Sequence, residues 1–123
     1  MPVHATHANT VLVVEDDAST REGMLALLEN NGYKVSSAKN GQEAIDLLEG
    51  GLRPAIMLID LMLPKVSGWD LLRYVHADLV LKFIPIIVVT AAPDEQTSLV
   101  ADHVFVKPVD ITRLLALIRT LAR

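Results

Sequence analysis

An α/β fold is predicted, in which a parallel sheet carries helices on both faces. Three observations predict it. Four short apolar runs each stop at a polar residue, Val11–Val14 before Glu15, Ala55–Ile59 before Asp60, Ile84–Val89 before Thr90 and Val104–Val106 before Lys107. Between the runs lie segments with apolar residues at helical spacing, and strands alternating with helices of this length give parallel sheets with right-handed crossovers. The hydrophobic fraction is 51% with few aromatics, which suits strands of Val, Ile and Leu buried on both faces. If the runs are neighbours, their carboxyl ends share one edge, and ligands of open α/β sheets bind at that edge.

Residues 1–9 are polar and without periodicity and read as a flexible tail, so one domain is expected over residues 10–123. Val11–Val14 is too short for a helix and β-branched, hence a buried strand. Ala18–Asn31 places Met24, Leu27 and Leu28 at helical spacing, with Gly32 as a C-terminal stop. Lys34–Ala38 reads as a short strand. Asn40 with Glu43 has capping-box spacing and opens a helix through Leu48 to the Gly50-Gly51 break. Ala55–Ile59 is the third strand, and Ser67 with Asp70 opens a helix carrying Leu71, Leu72 and Val75. Ile84–Val89 is the fourth strand. The stretch from Ala91 to Ala101 has room for one short helix. Val104–Val106 is the last strand, and Asp110 caps a final helix with Leu114, Leu115, Leu117, Ile118 and Leu121 inward.

Several function classes are excluded or disfavoured. With no cysteine there is no disulfide, thiolate metal site or cysteine nucleophile, and a reducing, cytoplasmic setting is expected. No apolar stretch approaches a membrane span. A net charge of −4 disfavours nucleic acid as a partner of this domain, because phosphate binding needs a basic surface. The turn after the first strand is acidic rather than Gly-rich, so no dinucleotide or P-loop site is present.

The shared edge would collect Glu15, Asp16, Asp17, Asp60, Thr90 and Lys107. Two carboxylates about 4 Å apart repel by roughly 4 kcal/mol at an effective dielectric of 20, so such a cluster calls for a counter-ion or a retained proton. Magnesium suits carboxylates and bridges to phosphate oxygens. The acidic trio has a second reading, as caps of the following helix. Asp60 is harder to read that way, since it closes an apolar run just before a loop. A carboxylate there can act as nucleophile toward phosphorus, with cations and a hydroxyl donor such as Thr90 around the phosphoryl oxygens.

This ordered set resembles the receiver domains of two-component response regulators over Thr10 to Arg123. The family pattern is an acidic pair after the first strand, a phospho-acceptor Asp after the third, Thr or Ser after the fourth and Lys-Pro after the fifth; here these fall on Glu15-Asp16, Asp60, Thr90 and Lys107-Pro108. Pro64 and Gly68 stand four and eight residues beyond Asp60, as in typical receivers. The resemblance implies a flavodoxin-like, doubly wound five-stranded sheet in 2-1-3-4-5 order. It implies Mg2+, with Mn2+ as substitute, bound by Asp16, Asp60 and the backbone carbonyl of Met62, with Glu15 acting through water. It implies Lys107 paired with Asp60, Thr90 and the Ala91 N–H as donors to the phosphoryl group, and a cis Lys107–Pro108 bond. The function implied is a phosphoryl-accepting signalling switch loaded by a sensor histidine kinase or histidine phosphotransfer protein, not a turnover enzyme. The alternative is a receiver-like interaction module that does not accept phosphate. A haloacid-dehalogenase-type enzyme would need an acid two residues after Asp60, where Met62 stands.

Two departures from the family bear on output. Thr90 and Lys107 are 17 positions apart, fewer than in typical receivers, so the helix between the fourth and fifth strands is expected to be short or irregular. The switch aromatic, three residues before the Lys, is replaced by Val104. Phe105 follows it and should point to the opposite face.

Overall fold

The computed structural model describes residues 7–61, 68–91, 93, 97 and 101–122. Five parallel strands, β1 (His7–Val14), β2 (Lys34–Ala38), β3 (Pro54–Asp60), β4 (Ile86–Thr90) and β5 (His103–Val106), form one sheet in the order β2-β1-β3-β4-β5. The helices are α1 (Ala18–Asn30), α2 (Gly41–Glu49), α3 (Gly68–Ala77) and, last among the described residues, α4 (Ile111–Leu121). The doubly wound α/β fold and its 2-1-3-4-5 order are as expected. A single 3-10 turn, Leu81–Phe83, precedes β4 and has no counterpart in the sequence reading.

The alternation of strand side chains divides the apolar residues into two cores. Leu12, Val14, Met57, Ile59, Ile86 and Val88 face one side with Ala44 and Leu48 of α2 and Leu71, Leu72 and Val75 of α3. Val11, Val13, Ile56, Leu58, Ile87 and Val89 face the other with Leu28 of α1 and Leu114 and Ile118 of α4. Every residue of β3 and β4 is buried, which explains why these runs are continuously apolar rather than alternating. A fully buried Val, Leu or Ile contributes about 1.5–3 kcal/mol, so the central strands anchor the edge that carries the polar residues.

Local signals terminate the helices. Asp17 caps α1, its Oδ2 accepting from Thr20 N at 2.8 Å. At the other end Tyr33 N donates to Leu28 O and Gly32 N to Glu29 O, with Gly32 at φ 89°, the Schellman arrangement in which glycine relieves the left-handed residue. In α2, Asn40 Oδ1 accepts from Glu43 N at 2.8 Å, while Glu43 Oε1 accepts from Lys39 N at 2.9 Å. The return bond thus reaches one residue further back than in a standard capping box. Asp110 caps α4 through Arg113 N.

The structure corrects or bypasses three expectations. Residues 7–9, assigned to the tail, belong to β1, where His7 pairs with Pro54; a polar strand end is held by backbone bonding to β3, which hydropathy does not reveal. Residues 1–6 and Ser67 lie outside the described residues. The helix expected between β4 and β5 also falls mostly outside them; of its residues Thr97 is helical and buried, and Ala101 N donates to Thr97 O at 3.2 Å.

Candidate functional site

The chain reverses direction across the sheet at β1, since β2 lies on one side of it and β3 on the other. Such a switch point opens a crevice at the carboxyl edge. Glu15 follows β1 directly and Asp60 ends β3, both on the side of α1 and α4 by the parity of Val13 and Leu58. Glu15 and Asp60 are buried, at 7% and 6% exposure, whereas Asp16 is exposed. Carboxylate oxygens of Glu15, Asp16 and Asp60 all lie within 4.8 Å of one another.

Lys107, at the end of β5, reaches across this cluster. Its Nζ donates to Asp60 Oδ2 at 3.0 Å and to Glu15 Oε1 at 3.4 Å. Burial works against its charge, but the hydrogen bond and charge of Asp60 and the charge of Glu15 outweigh it, holding the ammonium above its ordinary pKa. The Lys107 N–H donates to Thr90 O at 2.9 Å, and the Lys107–Pro108 bond is cis as expected. Thr90 is 1% exposed and pairs with Val106; since Asp60 pairs with Val89, Thr90 stands one position beyond Asp60 on the neighbouring strand. Ala91 follows as an exposed bend.

The crowding of negative charge shows in Glu15. Burial first, and the neighbouring Asp60 charge second, push its carboxyl up to about 7. The site as built therefore favours a proton or a cation among its three carboxylates. Asp17 behaves oppositely, its pKa lowered by the Thr20 hydrogen bonds that cap α1. The capping reading of the acidic trio thus holds for Asp17, while Glu15 and Asp16 turn to the edge.

Glu15, Asp16, Asp60, Thr90 and Lys107 are thus gathered at one edge. Met62, whose carbonyl was expected as a ligand, and Pro64 lie outside the described residues. Phe105 faces the α1–α4 core as expected, packed against Leu114 and its neighbours, with the Arg113 guanidinium 5.8 Å from its ring centroid. Trp69 packs on the α2–α3 core.

Two features escaped the sequence reading. Arg21, about one turn into α1, donates from Nη1 to Glu15 O at 3.0 Å and Asp16 O at 3.3 Å. Below Asp60 a cavity of about 360 Å³ opens between α1 and the start of α4, with Val13, Leu58 and Val89 as floor and Gly23 and Pro108 in its walls. Neither has a sequence signature, because an Arg and a Gly in the first half of a helix read as ordinary surface positions.

No described helix is long and apolar enough to cross a membrane. The profile of the response regulator receiver domain matches residues 11–119. Response regulator RR06 of Streptococcus pneumoniae is 36% identical over 118 residues, covering 92% of this chain and 52% of its own length. Response regulator MprA of Mycolicibacterium vanbaalenii is 35% identical over 121 residues, covering 92% and 50%. The chain therefore spans about half the length of these curated relatives. Among solved structures, a response regulator receiver protein from Pseudomonas putida superposes with a TM-score of 0.83 at 30% identity, covering 94% of this chain and 99% of that one. The receiver domain of a signal transduction histidine kinase from Syntrophus aciditrophicus gives 0.83 at 28% identity, covering 92% and 89%. With the fold, the clustered carboxylates and the bridging lysine in place, these matches establish that the chain belongs to the response regulator receiver domain family.

Proposed function

We propose that this chain is a phosphoryl-accepting signalling switch and that Asp60 is its acceptor. The observation that carries the reading is the 3.0 Å contact of Lys107 Nζ with Asp60 Oδ2, at a buried carboxylate flanked by two others. In the transfer, an Asp60 carboxylate oxygen forms the new P–O bond while the P–N bond of a phosphohistidine breaks. The electron pair of that bond leaves on the imidazole, which takes a proton from solvent. The donor is a sensor histidine kinase or a histidine phosphotransfer protein.

Phosphoryl transfer asks for positioning and positive charge rather than acid–base chemistry. Lys107 supplies one charge, shifting from the free carboxylate to the phosphoryl oxygens. Thr90, fixed at the end of β4, offers its hydroxyl to the same oxygens. Three carboxylates within reach of one point and without cysteine or histidine suit a hard divalent cation. Asp16 and Asp60 would hold Mg2+ directly and Glu15 through water, and the ion held there would supply positive charge to the phosphoryl oxygens. Phosphorylation then shifts an equilibrium between two surface states.

The test is intact-mass measurement after incubation with acetyl phosphate and Mg2+, beside Asp60→Asn. One phosphoryl mass is expected on the parent and none on the variant. No addition to the parent would favour an interaction module that does not accept phosphate, and addition that survives in the variant would move the acceptor elsewhere.

A further inference from the structure

The loop that presents Glu15 and Asp16 is tied down along its length. On the strand side, Glu15 N donates to Ala38 O at 3.0 Å. Within the loop, Asp17 N donates to Glu15 Oε2 at 3.3 Å, and Asp17 turns its own carboxylate to Thr20. The carbonyls of Glu15 and Asp16 point the other way, and one nitrogen, Arg21 Nη1, takes both at 3.0 and 3.3 Å. The half-buried Arg21 guanidinium is thus directed at backbone carbonyls. Hydrogen bonds from a charged donor are about twice as strong as neutral ones, so this clamp holds the Glu15 and Asp16 peptides from the α1 side.

We propose that Arg21 is a positioning residue for the cation site: by fixing the Glu15 and Asp16 carbonyls it turns their two carboxylates toward Asp60. The inference rests on the reading of Glu15, Asp16 and Asp60 as that site. Two effects of Arg21 on cation binding have opposite signs. Its positive charge near the edge repels a second cation, whereas its grip on the loop holds the ligands in register, as outer partners of metal ligands do. Charge alone makes removal of Arg21 tighten binding. Positioning makes removal weaken it, and the sign separates the two.

The experiment titrates Mg2+ calorimetrically into the parent, Arg21→Met and Arg21→Lys, with Mn2+ binding followed by electron paramagnetic resonance. Methionine is a good helix former, and circular dichroism verifies that α1 and the fold persist. The Met variant is expected to bind Mg2+ about tenfold more weakly despite its lost positive charge. The Lys variant, with the charge kept and the reach shortened, is expected to fall between. In acetyl phosphate assays the Mg2+ concentration for half-maximal rate should rise, while the rate at saturating Mg2+ stays within about twofold of the parent. Unchanged or tighter Mg2+ binding by Arg21→Met overturns the inference and leaves the acceptor reading standing. A parent that binds no Mg2+ overturns both.

Discussion

Gly68 stands against the end of β3 so closely that a Cβ built on it would lie 2.6 Å from the Leu61 Cα and 2.9 Å from the Leu61 carbonyl oxygen. Backbone, not a yielding side chain, occupies the space. The first turn of α3 therefore rests directly on the residue after Asp60, and the Asp60 carbonyl oxygen is only 3.0 Å from the same point. This contact is a physical reason for glycine eight residues beyond Asp60.

Gly68→Ala is accordingly expected to push α3 and the Asp60–Leu61 backbone apart. Overpacking of this kind costs about 1–3 kcal/mol; it outweighs the helix-propensity gain of roughly 1 kcal/mol that alanine otherwise brings. Urea unfolding should show the net loss. Because the strain falls on the backbone of Asp60, the proposed acceptor, the acetyl phosphate reaction should slow as well. A variant as stable and as reactive as the parent would contradict the contact.

Gly23 is the contrasting case. It lies inside α1 on the exposed side, and a Cβ there meets nothing within 4 Å. Gly23→Ala should therefore stabilise by about 0.5–1 kcal/mol, visible as a rise in Tm of a few degrees. Gly23 lines the wall of the cavity below Asp60 and touches none of the cluster, so phosphorylation should proceed at the parent rate. A fall in Tm would mean that α1 must move inward over the cavity.

The contrast between these glycines marks what the sequence could and could not reveal. Parity along Val11–Val14, Ala55–Ile59 and Ile84–Val89 was enough to place both cores, because an alternating side-chain direction is a property of each strand alone. Asp60 and Lys107 were legible for the same reason, as polar ends of apolar runs. Gly68 was legible only as a spacing shared with a family, since its reason is a tertiary approach to Leu61. Arg21 was not legible at all. Its partners are carbonyls, and every residue carries one. The start of β1 at His7 was hidden similarly, because backbone pairing to Pro54 needs no apolar side chain. Phe105 was placed on the correct face by alternation alone, yet the Arg113 guanidinium over its ring was not foreseeable, since that pair forms between β5 and α4.

The raised Glu15 pKa gives a last expectation, for the metal-free protein. Its carboxyl titrates near 7 when folded against 4.5 as the ordinary value, from burial and then from Asp60. The folded state thus holds the proton more tightly than the unfolded chain. That favourable contribution is fully present below pH 4.5 and is lost as pH rises through about 7. A displacement of this size corresponds to at most about 3 kcal/mol; water at the open edge and the nearby Lys107 bring it to the order of 1 kcal/mol. Lys107, with its pKa raised, keeps its charge throughout this window and adds no slope. Metal-free parent protein should therefore lose stability in urea between pH 4.5 and 8, while Glu15→Gln, which cannot ionise, should lose less and exceed the parent at pH 8. Saturating Mg2+ should flatten the parent's profile at the high end, because an ion held by the ionised carboxylates would favour the form that the bare site disfavours. Identical slopes for parent and Glu15→Gln would show that Glu15 is not the group that senses the crowding at this edge.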